Sequence, residues 1–153
     1  MAETGGVRRI LRGFADLMSG DYTLVRSTVA ETYPGAPVFR LRDPRATVVA
    51  LGLLGASPYP GRQAGLAILD DRLEIWINAR EPALTIPYTR VESARPTMTS
   101  TFVPEHGVEL LISGDGPSVA LPLIPFGTGD PQGQDETDRL TAALQERASF
   151  PWT

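Results

Sequence analysis

Residues 64–91 constrain the fold of this chain more than any other stretch, because their apolar side chains recur at every second position. Two strand-like halves, GLAIL and RLEIWIN, meet at a pair of aspartates, Asp70 and Asp71, which is typical of a turn. In the second half, a strand would place three aliphatic side chains on one face, those of Leu73, Ile75 and Ile77. The stretch therefore predicts an antiparallel hairpin, followed by a third strand with the sequence LTIPY.

The composition favours one folded domain with an extension. The chain has 153 residues, of which 42% are hydrophobic and 21% are charged, so it can bury a core and is unlike a disordered chain. Its net charge is −4 and it contains no basic run, so a nucleic-acid-binding surface is not expected. There is no cysteine, which excludes disulfides and thiolate metal sites and suits a cytoplasmic protein.

No apolar run in the sequence is long enough to cross a membrane. The longest run, residues 48–54, is far shorter than the roughly 20 residues that a spanning helix needs. The start of the chain also lacks the apolar segment of a signal peptide. We therefore expect a soluble protein.

Residues 4–19 have the periodicity of an amphipathic helix, with apolar residues at spacings of three and four. The favoured interpretation is that this apolar stripe packs on the chain's own core. A second interpretation is that the stripe docks on a partner protein, and its candidate residues are Ile10, Phe14 and Leu17. A third is that the opposite face binds an anionic membrane surface through three arginines, Arg8, Arg9 and Arg12.

The region between this helix and the central hairpin is less regular. Residues 22–29 fit either a strand or a second helix, and residues 38–42 fit a short strand. We place a domain boundary near residue 45. This divides the chain into an N-terminal extension over residues 1–45, a main domain over residues 46–149 and an aromatic tail over residues 150–153.

The main domain is predicted to alternate strands and turns and to end in a helix. Residues 47–55 form a nearly continuous apolar run, which favours a strand buried on both faces. VELLIS and SVALPLI flank residues 114–117, whose turn chemistry predicts a second hairpin. Pro122 should lie at an edge or a bulge, because proline cannot donate to a ladder. Residues 136–149 then predict a last helix, capped by Asp135.

About seven strands followed by one amphipathic helix resemble the pleckstrin-homology-like superfold, in particular its bacterial and GRAM-type members. The resemblance spans about residues 46–149, and it rests on the segments GLAILDDRLEIWI, IPYTRV, VELLISGDGPSVALPL and ETDRLTAALQERA. It implies a mostly β, α+β fold, in which an antiparallel barrel of about seven strands is capped by the C-terminal helix and the N-terminal helical extension lies beside it. Members of this superfold are binding modules for lipids, peptides or proteins, and the fold alone does not fix the ligand.

The resemblance also implies where a lipid would bind. Lipid-binding members place several basic residues in and around the first hairpin loop. The matching loop here, residues 56–63, contains Arg62, and Arg72 follows on the next strand. Each arginine near an anionic membrane contributes only about 1 kcal/mol. Since the net charge is −4, we expect weak binding to a membrane surface or none.

The sequence offers few candidates for catalysis. Nucleophile triads and transition-metal sites depend on histidine or cysteine, and the chain has one histidine, His106, and no cysteine. Residues 127–134 have the spacing G-x-G-x-x-x-G before a helix, but a P-loop needs a lysine, and neighbouring acids would repel phosphate. We therefore expect a non-enzymatic protein with no catalytic residues, no cofactor and no metal.

Two tryptophans are candidate partner-binding residues. Trp76 falls on the strand face opposite the aliphatic residues, where it is either an exposed aromatic anchor or covered by the N-terminal extension. Trp152 offers two alternatives at the tail: the tail docks on the chain itself, or it is a recognition motif.

The sequence as a whole predicts an adaptor or scaffold that acts through protein–protein contacts. Its partner is a protein that the sequence does not identify, and exposed strand edges also allow a homodimer. The alternative is a peripheral membrane module that binds anionic lipid through the basic N-terminal helix. In that case a cytoplasmic protein would associate with the membrane surface.

Overall fold

The computed structural model describes residues 22–56, 64–99, 104–126 and 132–153. Over these residues, seven strands form two antiparallel sheets, and three helices accompany them. In chain order the elements are α1 (Tyr22–Thr32), β1 (Val38–Leu41), α2 (Arg45–Leu53), β2 (Ala64–Ile68), β3 (Arg72–Trp76), β4 (Leu84–Pro87), a 3-10 turn (Tyr88–Arg90), β5 (Val91–Thr99), β6 (Glu105–Ile112), β7 (Val119–Leu123) and α3 (Gln132–Arg147). The α+β class expected from the sequence is confirmed.

Several predictions fall on other parts of the chain. The amphipathic helix over residues 4–19 lies outside the described residues, together with its candidate residues Ile10, Phe14, Leu17, Arg8, Arg9 and Arg12. Arg62 and residues 127–131 of the glycine-rich loop also lie outside them. All of these stay predictions.

The first sheet has the strand order β1-β2-β3-β4, and the predicted central hairpin is its middle pair. Leu66 lies opposite Ile75, and Ile68 lies opposite Leu73. Aliphatic residues at alternate positions therefore share the inner face of the sheet, as the period of two requires. The hairpin prediction is confirmed.

The second sheet has the strand order β5-β6-β7, and residues 114–117 form the predicted turn between its last two strands. β7 is an edge strand, so the predicted edge position of Pro122 is confirmed. Just after β7 the chain meets the first sheet, because Leu41 and Pro125 form an antiparallel bridge. β1 therefore connects the two sheets along one side.

The main hydrophobic core contains buried side chains from both sheets, from α2 and from α3. In α3, Leu140 and Leu144 are spaced i, i+4 and both are fully buried, which gives the helix its inner face. Burial of each leucine stabilises the fold by roughly 1.5–3 kcal/mol. The Thr137 hydroxyl also donates to the His106 carbonyl over 2.9 Å and fixes the helix on β6. The predicted C-terminal helix is confirmed, but it spans Gln132–Arg147, so the prediction of Asp135 as its cap is wrong and Asp135 lies within the first turn.

Residues 22–29, which fitted either a strand or a helix, belong to α1. Val25 and Val29 are fully buried and lie one helical turn apart, so one side of α1 packs on the outer face of the first sheet. There they contact a second, smaller core cluster that contains Ala67 and Trp76. A strand would also have placed Val25 and Val29 on one face. The spacing that favours the helix is that of Tyr22, Val25 and Val29 at i, i+3 and i+7, because in a strand Tyr22 would lie on the opposite face from the two valines.

The strand predicted over residues 47–55 is wrong, because this run is helix α2. Its buried residues are Thr47, Ala50 and Leu51, which have the spacing i, i+3, i+4 of one helix face. Residue Gly55 follows the helix with a φ of 99°, a conformation that suits glycine at the end of a helix. An apolar run of this length is ambiguous between a buried strand and a short helix, and periodicity over so few residues does not separate them.

The boundary predicted near residue 45 falls after β1, so it would separate this strand from the rest of its sheet. β1 pairs with β2, and its residues Phe39 and Leu41 belong to the main core. Residues 38–41 are therefore part of the first sheet. The seven strands of the two sheets include β1, whereas the run at residues 47–55, predicted as a strand, falls on α2. Residues 150–153 also contact the sheets, at β5.

We predict that Gly107→Ala destabilises the fold by roughly 1–3 kcal/mol through overpacking. A β-carbon on Gly107 would collide with the Leu123 carbonyl oxygen and the Ile124 side chain, where β6 approaches the end of β7. The free energy of unfolding from denaturant titration measures the effect.

Gly52→Ala is the matched control for this substitution. Gly52 is exposed on α2, and no described atom lies within 4 Å of the place its β-carbon would take. Helix propensity should therefore raise stability by roughly 0.5–1 kcal/mol. Equal effects of the two substitutions would contradict the packing of Gly107.

Candidate functional site

One concave feature of the described surface is an apolar groove between α2 and the turn that joins β6 to β7. We call it the α2 groove. It has a volume of about 1000 Å³, which is in the range of sites that hold a ligand or a peptide side-chain cluster. Its apolar walls include Val49, Leu53, Leu54, Ile112 and Val119.

The groove exists because α2 is apolar on two sides. One side packs on β7 through its buried residues, and the Thr47 hydroxyl donates to the Pro122 carbonyl over 2.6 Å. The other side leaves Val49 53% exposed and Leu53 71% exposed. Among the described residues, Met98 is the only other large hydrophobic side chain that is exposed to this extent. Two aliphatic side chains one helical turn apart therefore form a ridge that faces solvent.

The opposite wall of the groove is the turn at residues 114–117, whose small side chains keep that wall low. Gly116 has no described atom within 4 Å of the position of a β-carbon. The turn is held in place by the 3-10 turn before β5, because the Ser113 amide donates to the Arg90 carbonyl over 2.8 Å. One wall of the groove is thus a helix, and the other is a turn that a backbone hydrogen bond holds in place.

Two arginines give the groove a positive rim. Arg45 begins α2 and is exposed, and Arg90 lies beside the β6–β7 turn. The Nε of Arg90 donates to the Ser113 carbonyl over 3.0 Å, which fixes the plane of the guanidinium. Its Nη2 lies 3.7 Å from the place a β-carbon on Gly114 would take, so this nitrogen lies beside the backbone of the turn. Asp115 is the acidic residue among the described lining residues.

The chemistry of the groove follows from its lining residues. Its described titratable side chains are two guanidinium groups and one carboxylate, none of which forms the paired acid and base that proton transfer needs. Over the described residues, no group of three His, Cys, Asp or Glu side chains is placed to hold a metal ion. The groove instead combines aliphatic contact area with donors that suit a carboxylate.

The structure places Trp76 inside the protein. Trp76 is 4% exposed and lies under α1, so of the two alternatives for its face the structure has the covered one, and the exposed-anchor prediction is wrong. Its indole Nε1 donates to Glu74 over 3.2 Å. The physical reason is that both faces of β3 are covered. The main core covers the face of Leu73 and Ile75, and α1 covers the face of Glu74 and Trp76.

Arg72, the described lipid-binding candidate, is engaged in ion pairs and hydrogen bonds at the same place. Its Nε lies 3.1 Å from Glu74, and its Nη1 lies 2.7 Å from Asp71. Hydrogen bonds with Tyr33 and Glu74 raise the pKa of the Arg72 guanidinium above its ordinary value. Its proposed role at a membrane stays a prediction, but the guanidinium already has protein partners.

Trp152 lies in a tail that docks on the chain itself. The Ala94 amide donates to the Pro151 carbonyl and the Thr153 amide donates to the Ala94 carbonyl, both over 2.9 Å, so the tail pairs with the outer edge of β5. Phe150 is buried, and its ring centroid lies 6.0 Å from that of Trp152. The structure therefore has the self-docked alternative for the tail. A further role in recognition stays a prediction.

A strand over residues 47–55 leaves no place for the α2 groove, so the sequence-based predictions do not contain it. The signal was present in the spacing: Val49 and Leu53 lie four residues apart, and Thr47, Ala50 and Leu51 lie on the other side of a helix. Pro44, directly before α2, and Gly55, two residues after its end, also mark a helix start and end.

Comparisons with known proteins do not assign this fold to a family. No protein-family model matches the chain, and no curated protein is similar to it in sequence. Among the helices over residues 22–56 and 132–153, none is long and apolar enough to cross a membrane.

We predict that Glu74→Gln destabilises the fold by about 1–3 kcal/mol, because a buried carboxylate accepts three donors there. Glu74 is 3% exposed and accepts from Tyr33, Arg72 and Trp76. A glutamine would offer one oxygen in place of two and would direct its amide N–H at some of these donors. Denaturant titration gives the change in the free energy of unfolding.

The control is Glu109→Gln, which breaks an ion pair with Arg95 at the surface. The Arg95 side chain is 62% exposed, so this loss should cost less than about 1 kcal/mol. A Glu74→Gln cost no larger than that of the control would show that the buried network does not stabilise α1 on the sheet.

We predict that stability falls as the pH rises from 10 to 12. Burial raises the pKa of Tyr88 from 10.0 to about 12, and its hydroxyl donates to the Leu69 carbonyl over 2.6 Å. The folded chain thus holds this proton more tightly than the unfolded chain, so the stabilisation is complete below pH 10 and is lost as the pH passes through 12. Burial also raises the pKa of Tyr22.

Denaturation midpoints measured across this pH interval test the assignment. Tyr88→Phe should flatten the decline, because phenylalanine has no proton to lose. Tyr33→Phe removes a phenol elsewhere and serves as the comparison. An unchanged decline in Tyr88→Phe would show that other groups cause it.

Proposed function

We propose that this chain is a non-enzymatic binding module that acts as an adaptor or scaffold and docks a protein segment in the α2 groove. The observation that carries the proposal is the exposed ridge of Val49 and Leu53 beside a groove of about 1000 Å³. Exposed aliphatic side chains that border a concave surface are typical of protein-interaction sites. The candidate surface therefore moves from Trp76 to α2.

We also propose that the arrangement of the strands is pleckstrin-homology-like. A four-stranded meander, a three-stranded second sheet and a C-terminal helix on the core support this proposal. So does the bridge between Leu41 and Pro125, which joins the start of the first sheet to the end of the second. The first strand would then be β1, and α2 would be an insertion between the first and second strands.

The shape and the chemistry of the groove favour a protein partner. A protein segment presents several apolar side chains in a row, which matches a ridge with a one-turn repeat better than a single headgroup does. The membrane alternative depends on Arg8, Arg9, Arg12 and Arg62, which lie outside the described residues, and on Arg72, whose guanidinium is already paired. It stays a second prediction from the sequence.

We predict that a photo-crosslinking residue at position 53 captures a partner in cells of the source organism, whereas the same residue at position 98 does not. Leu53 and Met98 are both exposed aliphatic positions, 71% and 58% exposed, but only Leu53 lines the α2 groove. The cross-linked products are compared by mass spectrometry. Position 98 controls for the capture of proteins by any exposed apolar side chain.

Competition with unlabelled chain tests whether the cross-linked product forms by docking in the α2 groove. Excess unlabelled chain should suppress the product at position 53, and chain carrying Leu53→Arg should not, because a buried guanidinium in the groove would oppose docking. Equal products at positions 53 and 98, or equal suppression by both competitors, would contradict the proposed docking site.

A further inference from the structure

We propose that the segment docked in the α2 groove is an acidic amphipathic helix from another protein, with aliphatic residues on one face and carboxylates at its flanks. This inference rests on the proposed function and adds the chemistry of the partner. It uses the length of α2, the one-turn spacing of its exposed ridge and the charge of the rim.

The length of the groove fits a short helix. α2 has nine residues, which at 1.5 Å per residue is about 14 Å. A partner helix that lies along it needs about two to three turns of contact. Val49 and Leu53 form an i, i+4 ridge, and such a ridge packs between side chains that a facing helix carries at i, i+3 and i+4. Leu54 and Val119 complete an apolar floor on which those side chains would be buried.

The charge of the rim selects carboxylates. The described lining contains two arginines and one aspartate, so the groove is locally positive although the whole chain has a net charge of −4. The guanidinium of Arg90 is oriented by its bond to Ser113 and presents its remaining donors beside Gly114. An arginine with a fixed plane suits a planar carboxylate, because both can form two parallel hydrogen bonds.

Other occupants match this rim less well. Residues 4–19 of the same chain are apolar on one side, but their charged side chains include Arg8, Arg9 and Arg12 against Asp16, which would face a positive rim. A second copy that docked groove to groove would bring the same two arginines of each copy together, since a two-fold contact pairs a patch with itself. Like charges at such a contact oppose association.

The test uses three synthetic peptides of about 14 residues, which is close to four helical turns. All three carry leucines at i, i+3, i+4 and i+7, and they differ only in the polar face, which is glutamate, glutamine or lysine. Fluorescence anisotropy with the full chain measures the three affinities. We expect the glutamate peptide to bind roughly three- to tenfold more tightly than the glutamine peptide, because partly exposed ion pairs contribute about that much. The lysine peptide should bind most weakly.

Three variants assign the effect to the groove. Arg45→Glu should remove or reverse the preference for the glutamate peptide, and Leu53→Arg should weaken the binding of all three peptides. Arg80→Glu is the matched control, because Arg80 is exposed and lies outside the groove lining. It should retain the preference. Added salt should weaken the binding of the glutamate peptide most, since salt screens surface ion pairs.

The outcomes separate this inference from the proposed function. Equal affinity for the three peptides, lost in Leu53→Arg, would overturn the acidic partner and leave an apolar docking groove. A preference that Arg45→Glu and Arg80→Glu reduce equally would overturn the inference too, because it would reflect net charge. Failure of all three peptides to bind would also overturn it, and the cross-linking at position 53 would then decide the proposed function. A cross-link from position 53 to residues 4–19 or to a second copy would overturn the inference, because it would identify that segment as the occupant of the groove.

Discussion

The contact between α2 and β7 is the constraint on which the proposed function depends. Strand β7 is an edge strand, and its proline removes one backbone donor while leaving a carbonyl that needs a partner. Thr47 supplies that partner from the first turn of α2 over 2.6 Å. The hydroxyl is buried with the rest of Thr47, so the bond is shielded from competing water. With the first side of α2 packed on β7, its second apolar side lines the groove, opposite the turn at residues 114–117. The groove follows from placing a helix that is apolar on two sides at the edge of a sheet.

A second constraint explains why the other face of the first sheet is not the docking surface. Glu74 points away from the main core, yet it is 3% exposed because α1 covers it. Removing a carboxylate from water is costly, and it is tolerated where charged and neutral donors replace the water. Tyr33, Arg72 and Trp76 do so here. Since Tyr33 follows α1 and the other two residues belong to β3, this network ties the helix to the sheet and keeps Trp76 inside.

The extent to which the sequence predicted the structure follows from the length of its patterns. The hairpin of β2 and β3 and the helix α3 have long periodic runs with clear turn or cap residues, and both are found. Residues 47–55 are short and apolar throughout, so their pattern did not distinguish a strand from a helix. The sequence also did not decide whether Trp76 is buried. Its burial depends on a tertiary contact with α1 and on a polar network that joins residues about forty positions apart. The groove combines residues from α2 with residues more than sixty positions later, and no local pattern reports such a meeting.

A cysteine scan of residues 45–53 tests the central claim most directly, because the natural chain contains no cysteine and each variant has a single thiol. The rate of alkylation of the folded protein reports the exposure of each position. The account predicts fast reaction at positions 49 and 53 and slow reaction at positions 47 and 50, which is the period of a helix with one buried side. Alternation at every second position, or slow reaction along the whole run, would show a strand in place of α2 and would contradict the groove.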